Sequence, residues 1–348
     1  MSENGKEQGA PVTAGNGKHK LAMYWAASCG GCEISVLNIG KHILDVDSAF
    51  DIVFLPCVAD FKYDDVRGYD DGYIDVCLFN GAIRNSENEE MAHLLRQKSK
   101  VLVAFGSCAY EGCIPALSNL TSREATLRAV YLDNPSTENP EGVLPQESTA
   151  MPEGELHIPA FYETVRSLDQ VVDVDYTIPG CPPEPHQIWA VLEVVVDALS
   201  NGTELPPAGS ILGAGTVALC EECTRTKDVK KIERFYRPHE LAPDPDICLM
   251  EQGLLCMGPA TRAGCGALCP SVGMGCRGCY GPLDGVEDQG MRMLAAIASV
   301  LDVGDAHTEE HELERQINEV MATIPDPAGT FYRFSMAHSI LRRAKVEG

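Results

Sequence analysis

Short apolar runs alternate with amphipathic stretches through the amino-terminal half of the chain. Residues 21 to 25, 51 to 56, 74 to 80, 100 to 106 and 171 to 178 are runs of strand length with few polar interruptions, the pattern of strands buried on both faces. Between them, 32 to 45, 86 to 98, 120 to 131 and 184 to 199 carry apolar residues at helical spacing. This alternation predicts an α/β domain built on a doubly wound parallel sheet of flavodoxin-like type over residues 20 to 204. The Pro- and Glu-rich piece from Asp133 to Glu155 reads as a surface insertion. Residues 1 to 19 are polar and patternless and predict a disordered arm. Gly and Pro crowd Asn201 to Gly215 at a density no regular element would accept, so the domain boundary is expected there. Residues 205 to 348 then form a second domain, closed by helices near 287 to 301 and 308 to 323.

Charge changes this picture only by exclusion. The 348 residues carry a net charge of −24, and a chain without a basic patch cannot gain affinity for nucleic acid by releasing phosphate counterions. Much of the acid lies in runs, Glu87 to Glu90 and His307 to Glu314, expected to be solvated helix faces. No segment approaches the roughly 20 apolar residues that cross a bilayer. The first residues show no apolar run or cleavage signal, so a cytoplasmic protein with reduced thiols is expected.

Cysteine carries the candidate chemistry. Of fifteen, Cys29 and Cys32 follow the first predicted strand, Cys108 follows the run 100 to 106, and Cys181 follows the run 171 to 178. Ligands of open α/β sheets bind beyond the carboxyl ends of strands, so four thiols from three strand ends suggest one metal cluster. Spacing alone leaves a zinc site or a redox C-x-x-C open. The small residues of SCGGC and GSCA, with the prolines of PGCPPEP, suit a rigid cluster approached closely by backbone.

Cys220, Cys223, Cys248, Cys256, Cys265, Cys269, Cys276 and Cys279 make two further sets of four in a Gly-rich region expected to have little hydrophobic core. C-x3-C-P at 265 to 270 matches the last half of a bacterial ferredoxin motif, which predicts a ferredoxin-like domain with two 4Fe-4S clusters. Structural zinc is the alternative. In ferredoxins the cysteine of C-P ligates the other cluster, so Cys265 and Cys269 are expected to serve different ones.

Other polar residues look structural. Cys57 and Cys77 lie in apolar runs and are expected in the core. His42, His93, His157 and His186 show no ligand spacing, and His239 stands away from the cysteine pairs. Glu33 and Asp60 stand near the first thiols, where a cap or a solvated carboxylate is the expected role and proton carriage or support of the cluster the sharper one.

Together C-x-x-C, G-S-C-A and P-G-C-P-P resemble the proximal-cluster motifs of nickel-iron hydrogenase small subunits. LCEEC, CGALCPSVGMGCRGCYGP, VEDQG and GTFYRF are similar to the cytoplasmic methyl-viologen-reducing type linked to heterodisulfide reductase. The resemblance implies an electron-transfer subunit with three clusters, expected 4Fe-4S. Cys29, Cys32, Cys108 and Cys181 would hold the proximal one, and the later eight cysteines the medial and distal ones. It implies no nickel in this chain, a nickel-iron large subunit as obligatory partner, and a further iron-sulfur or flavin subunit as acceptor. Two other readings are a cluster-bearing subunit of a quinone-reducing complex and a zinc-stabilised assembly protein without redox function. One departure stands out. Gly112 and Cys113 occupy the place of a family Gly-Gly, and a thiol there resembles one of two extra proximal ligands of oxygen-tolerant enzymes, although an inert buried thiol is the simpler expectation.

Overall fold

The run Ile74–Asn80 is buried at every position, as the middle strand of a parallel sheet covered on both faces must be. The computed structural model describes residues 17–228, 231–303 and 308–341. In chain order the strands are β1 His19–Trp25, β2 Phe50–Phe54, β3 Ile74–Asn80, β4 Ile83–Asn85, β5 Ser99–Phe105, β6 Ser148–Met151, β7 Gly154–His157, β8 Phe161–Arg166, β9 Tyr176–Ile178 and β10 Ser210–Ile211. Six of them form one sheet in the order β2-β1-β3-β5-β9-β10, and each neighbouring pair is parallel. The winding reverses between β1 and β3, consistent with a flavodoxin-like fold, and opens a crevice beyond the carboxyl ends of β1, β3 and β5.

Strand periodicity sorts the side chains onto two faces. Tyr24, Phe79, Leu102 and Ala104 pack with Met91 and Leu95 of the helix Ser86–Lys98. Met23, Leu78, Val103 and Phe105 face the other way, onto Ile188, Leu192 and Val195 of the helix Pro185–Asn201.

Several expectations are revised. The helix expected over 32 to 45 breaks into Gly31–Leu37 and Ile43–Ala49, with Gly40 at positive φ between them. The strand expected over 171 to 178 is only Tyr176–Ile178, because Val171 and Val172 turn back to donate to the carbonyl of Leu168. Ser210–Ile211, inside the Gly- and Pro-rich stretch, adds the sixth strand. β8 was not anticipated and pairs antiparallel with β4, while β6 and β7 make a hairpin partly within the expected insertion. His19, expected in the arm, opens β1, and residues 1–16 lie outside the described residues.

The acidic run at 87 to 90 is not merely solvated. Glu87 accepts from the Tyr63 hydroxyl, Arg166 stands 2.8 Å from Glu89, and Arg67 stands 2.6 Å from Glu90. Those pairs tie the helix Ser86–Lys98 to its neighbours. In the second acidic run, Arg315 pairs with Glu312 at 2.6 Å, and His307 lies outside the described residues. Cys77 is in the core, but Cys57 is exposed, because β2 stops at Phe54 and Leu55–Pro56 carry the chain out of the sheet.

Beyond β10 the chain has short helical turns and isolated bridges, with longer helices at Gln289–Ala298 and Glu310–Met321. Its core is larger than expected. Phe235, Met250, Met293, Ile297, Phe331 and Tyr332 form a buried cluster that is continuous with Ala82, Ala116 and Val165 of the sheet region. The apolar side chains supplied between the cysteines therefore pack partly against the first half.

Gly81, directly after β3, sits at φ +107°, and a Cβ there would stand 2.7 Å from the carbonyl carbon of Ala26. Gly81→Ala is expected to cost at least about 2 kcal/mol, read as a lowered midpoint of chemical denaturation; an unchanged midpoint would show that this turn can relax.

Candidate metal centre

Three turns at the carboxyl end of the sheet bring the first thiols together. After β1, Ala27 exchanges backbone hydrogen bonds with Ala82 beyond β3, at 3.1 and 3.0 Å. The turn that follows carries Cys29 and leads into the helix Gly31–Leu37, whose Cys32 is buried. After β5, Gly106 at φ +83° donates to the carbonyl of Ile178, and Ser107 to that of Gly180, both at 2.8 Å. Those bonds hold the Cys108 turn against the Cys181 turn. A Cβ on Gly106 would stand 2.5 Å from Sγ of Cys32, so only glycine leaves room for that sulfur.

The geometry gathers all four expected thiols. Burial, and after it the charges of Cys108, Glu33, Cys181 and Cys29, push the Cys32 thiol well above its usual range. The four thiols stand within reach of one another's charges, a setting in which sulfurs hold either protons or metal.

A fifth thiol belongs to the group. Cys113 is fully buried at φ +49°, a conformation rare for a residue with a side chain. Its amide donates to Phe334 at 3.1 Å, and its Sγ lies 3.8 Å from that of Cys181. The Cys113 thiol donates, so it stays protonated and lowers the Cys181 thiol toward thiolate.

Glu33 is neither a cap nor solvated. It is buried with its Oε1 accepting from Nδ2 of Asn80 at 2.7 Å, and that same amide nitrogen donates to Ser28 Oγ at 2.9 Å. Burial pushes its carboxyl up, and its Oε2 has no partner. Asp60 is exposed beside Lys62 and stays out of the site. His42 stacks on Trp189 with ring centroids 4.2 Å apart, and His157 faces Glu155 at 3.7 Å. Asn80 gave no signal in the sequence, and Phe334 stood only in a motif of the resemblance, whereas Gly106 and Ser107 belong to the GSCA segment expected to let backbone approach closely.

The later cysteines form two further groups. Cys220, Cys223, Cys248 and Cys256 line one cavity of about 310 Å³, walled also by Leu249 and Met250. A Cβ on Gly258 would stand 3.2 Å from Sγ of Cys220 and 3.5 Å from that of Cys256. Burial pushes Cys256 up to about 11.

Elsewhere, Cys279 is pushed up to about 12, by burial first, and it lies within reach of the charges of Cys265 and Cys269. Cys276 is also raised by burial and feels Cys256 and Cys279. Cys265 and Cys269 both lie within reach of Cys279, with Ala267 between them at φ +53°.

The groups adjoin one another. Cys181 stands close enough to act on the Cys279 thiol, and the amide of Cys276 donates to Sγ of Cys256 at 3.3 Å. Ser107 Oγ reinforces the first link by donating to the carbonyl of Cys279 at 2.5 Å. No three His, Cys, Asp or Glu side chains among the described residues are arranged to hold a single metal ion.

Residues 29–195 match the family model described as NADH ubiquinone oxidoreductase, 20 Kd subunit. Over 288 residues the chain is 40% identical to the iron-sulfur subunit of the F420-non-reducing hydrogenase of Archaeoglobus profundus, covering 81% of this chain and 88% of that one. It is 37% identical over 335 residues to an F420-non-reducing hydrogenase subunit of Methanothermobacter marburgensis, covering 95% and 99%. A solved NAD+-reducing NiFe-hydrogenase chain aligns with a TM-score of 0.45 at 30% identity, over 54% of this chain and 96% of that one.

Cys113→Gly relieves the backbone while removing a buried thiol. The variant is expected to unfold within about 1 kcal/mol of the parent and to keep its full iron content; loss of iron on this change would make Cys113 a ligand.

Proposed function

We propose a path for electrons through this chain, starting from its membership of the family of F420-non-reducing hydrogenase iron-sulfur subunits: it is the electron-transfer small subunit of a nickel-iron hydrogenase. It works with a large subunit that carries the nickel-iron site. The observation that carries the reading is the gathering of twelve thiols into adjoining groups, with the Cys276 amide donating to Sγ of Cys256.

Cys29, Cys32, Cys108 and Cys181 would hold the first iron-sulfur cluster, Cys265, Cys269, Cys276 and Cys279 the second, and Cys220, Cys223, Cys248 and Cys256 the third. Clusters of this kind supply one-electron carriers and the positive charge that the buried sulfurs lack. The chain's own residues do the rest. The Cys276 amide favours charge on the Cys256 sulfur it meets. Gly106 and Gly258 let the backbone approach without displacing sulfur. Leu249 and Met250 in one wall, and Phe334 beside Cys108, keep water from the groups.

Around the first group Trp25, Ile34 and Leu37 are exposed at 46%, 57% and 52%. That is apolar surface close to the thiols, where the large subunit would dock. A further iron-sulfur or flavin subunit would take electrons from the third group. The flavodoxin-like sheet carries the first group, and the region beyond β10, read as a ferredoxin-like cluster domain, carries the other two. No helix among the described residues is long and apolar enough to cross a membrane.

The quinone-reducing alternative draws support from the family match at residues 29–195. That match stops before Cys220, whereas the Methanothermobacter marburgensis relative covers 95% of the chain, which favours the hydrogenase.

Iron and sulfide should each reach about twelve atoms per chain in the purified complex, and stoichiometric zinc instead would remove the basis of the reading. Cys29→Ser or Cys181→Ser is expected to abolish dihydrogen-dependent dye reduction, because the first exit from the large subunit is lost; near-normal turnover by an intact variant would refute the path. Paramagnetic resonance of reduced Cys269→Ala should show loss of one signal with the signal of the Cys220 group retained, whereas loss of both would favour ligands crossed between the clusters.

A further inference from the structure

A cleft of about 730 Å³ lies apart from the sheet crevice, between the loop 235 to 243, the loop 272 to 277 and the segment 323 to 333. Small-molecule pockets typically span about 300 to 1,000 Å³. The chain as a whole carries a charge of −24, yet Arg237, Arg277 and Arg333 all line this space. Arg277 and Arg333 are half-buried. Among the described residues no carboxylate stands within ion-pair distance of any of the three, and Arg333 has only a 3.4 Å hydrogen bond to the carbonyl of Gly329.

The two carboxylates in the wall are already engaged. Glu240 accepts from the Arg237 amide at 2.5 Å and faces the Arg234 guanidinium at 3.3 Å. Asp326 accepts from the Gly329 amide at 3.0 Å, capping the short helix Pro327–Phe331. Arg277 and Arg333 are partly withdrawn from water without a carboxylate at ion-pair distance, while Arg237 is exposed and shares the field of Glu240, and the planar forks of all three match the oxygens of a phosphate. Leu241, Val272 and Met274 supply apolar wall beside them, which suits an organic body attached to the charged group.

We propose that this cleft binds a phosphate-bearing small molecule of about nucleotide size, held by Arg237, Arg277 and Arg333. The assignment does not depend on the reading of the thiols.

Calorimetric titration of the purified complex with ADP, and separately with pyrophosphate and glucose 6-phosphate, tests it. At least one of the three probes is expected to bind saturably, at one molecule per chain. Its affinity should fall at least about tenfold in the Arg237→Gln, Arg333→Gln double variant. The exposed single change Arg237→Gln provides a second reading in case the double variant is unstable, and Arg237→Lys should retain part of the affinity. Absence of saturable binding by all three probes, or binding indifferent to these substitutions, would overturn the proposal. Cross-linking of an acidic partner segment into the cleft of the complex would overturn it as well, by assigning the guanidiniums to a subunit contact.

Discussion

Sulfur buried without a balancing cation is the constraint around which this molecule is arranged. Cys32, Cys256, Cys276 and Cys279 are all pushed up, with burial the first cause. Such sites keep protons unless metal supplies the missing positive charge. The surrounding fold therefore does two things. It brings sulfurs from distant parts of the chain into common spaces, and it aims backbone amides at several of them.

The parallel sheet accomplishes the first task by its winding. Every strand of a parallel sheet delivers its carboxyl end to the same edge, so turns far apart in sequence meet there. Hydrogen bonds from Gly106 and Ser107 to the β9 turn then join Cys108 to Cys181. Glycine at Gly106 and Gly258 removes the Cβ that would collide with sulfur. The second half is held in place by packing as well as by its own turns, since its core continues into Ala82, Ala116 and Val165. Cys181 adjoins Cys279 across the two halves and the Cys276 amide donates to Cys256, and the proposed electron path rests on that adjacency.

The strands and the first thiol group were legible because apolar runs and C-x-x-C spacing are local signals. β9 was overextended, since Val171 and Val172 are apolar yet pack from a turn. Ser210–Ile211 went unseen because pairing with β9 is a tertiary event that two residues cannot announce. Cys57 looked like a core residue by its neighbours, but Pro56 and the end of β2 send it outward. Glu33 could not be placed, since its partner Asn80 lies 47 residues away on another strand. How Cys265 and Cys269 divide between clusters is not legible in the C-P motif by itself, because the crossing of the chain that accompanies the motif is a property of the fold around it.

The central claim is the serial order of the three groups, with Cys265, Cys269, Cys276 and Cys279 in the middle. Dipolar paramagnetic resonance of the partly reduced complex measures it directly, through the couplings between reduced centres. The account predicts that the middle centre couples strongly to both others, and that those two couple only weakly once the middle one is removed by substitution at Cys269. A strong direct coupling between the centre at Cys29, Cys32, Cys108 and Cys181 and the centre at Cys220, Cys223, Cys248 and Cys256 would contradict it.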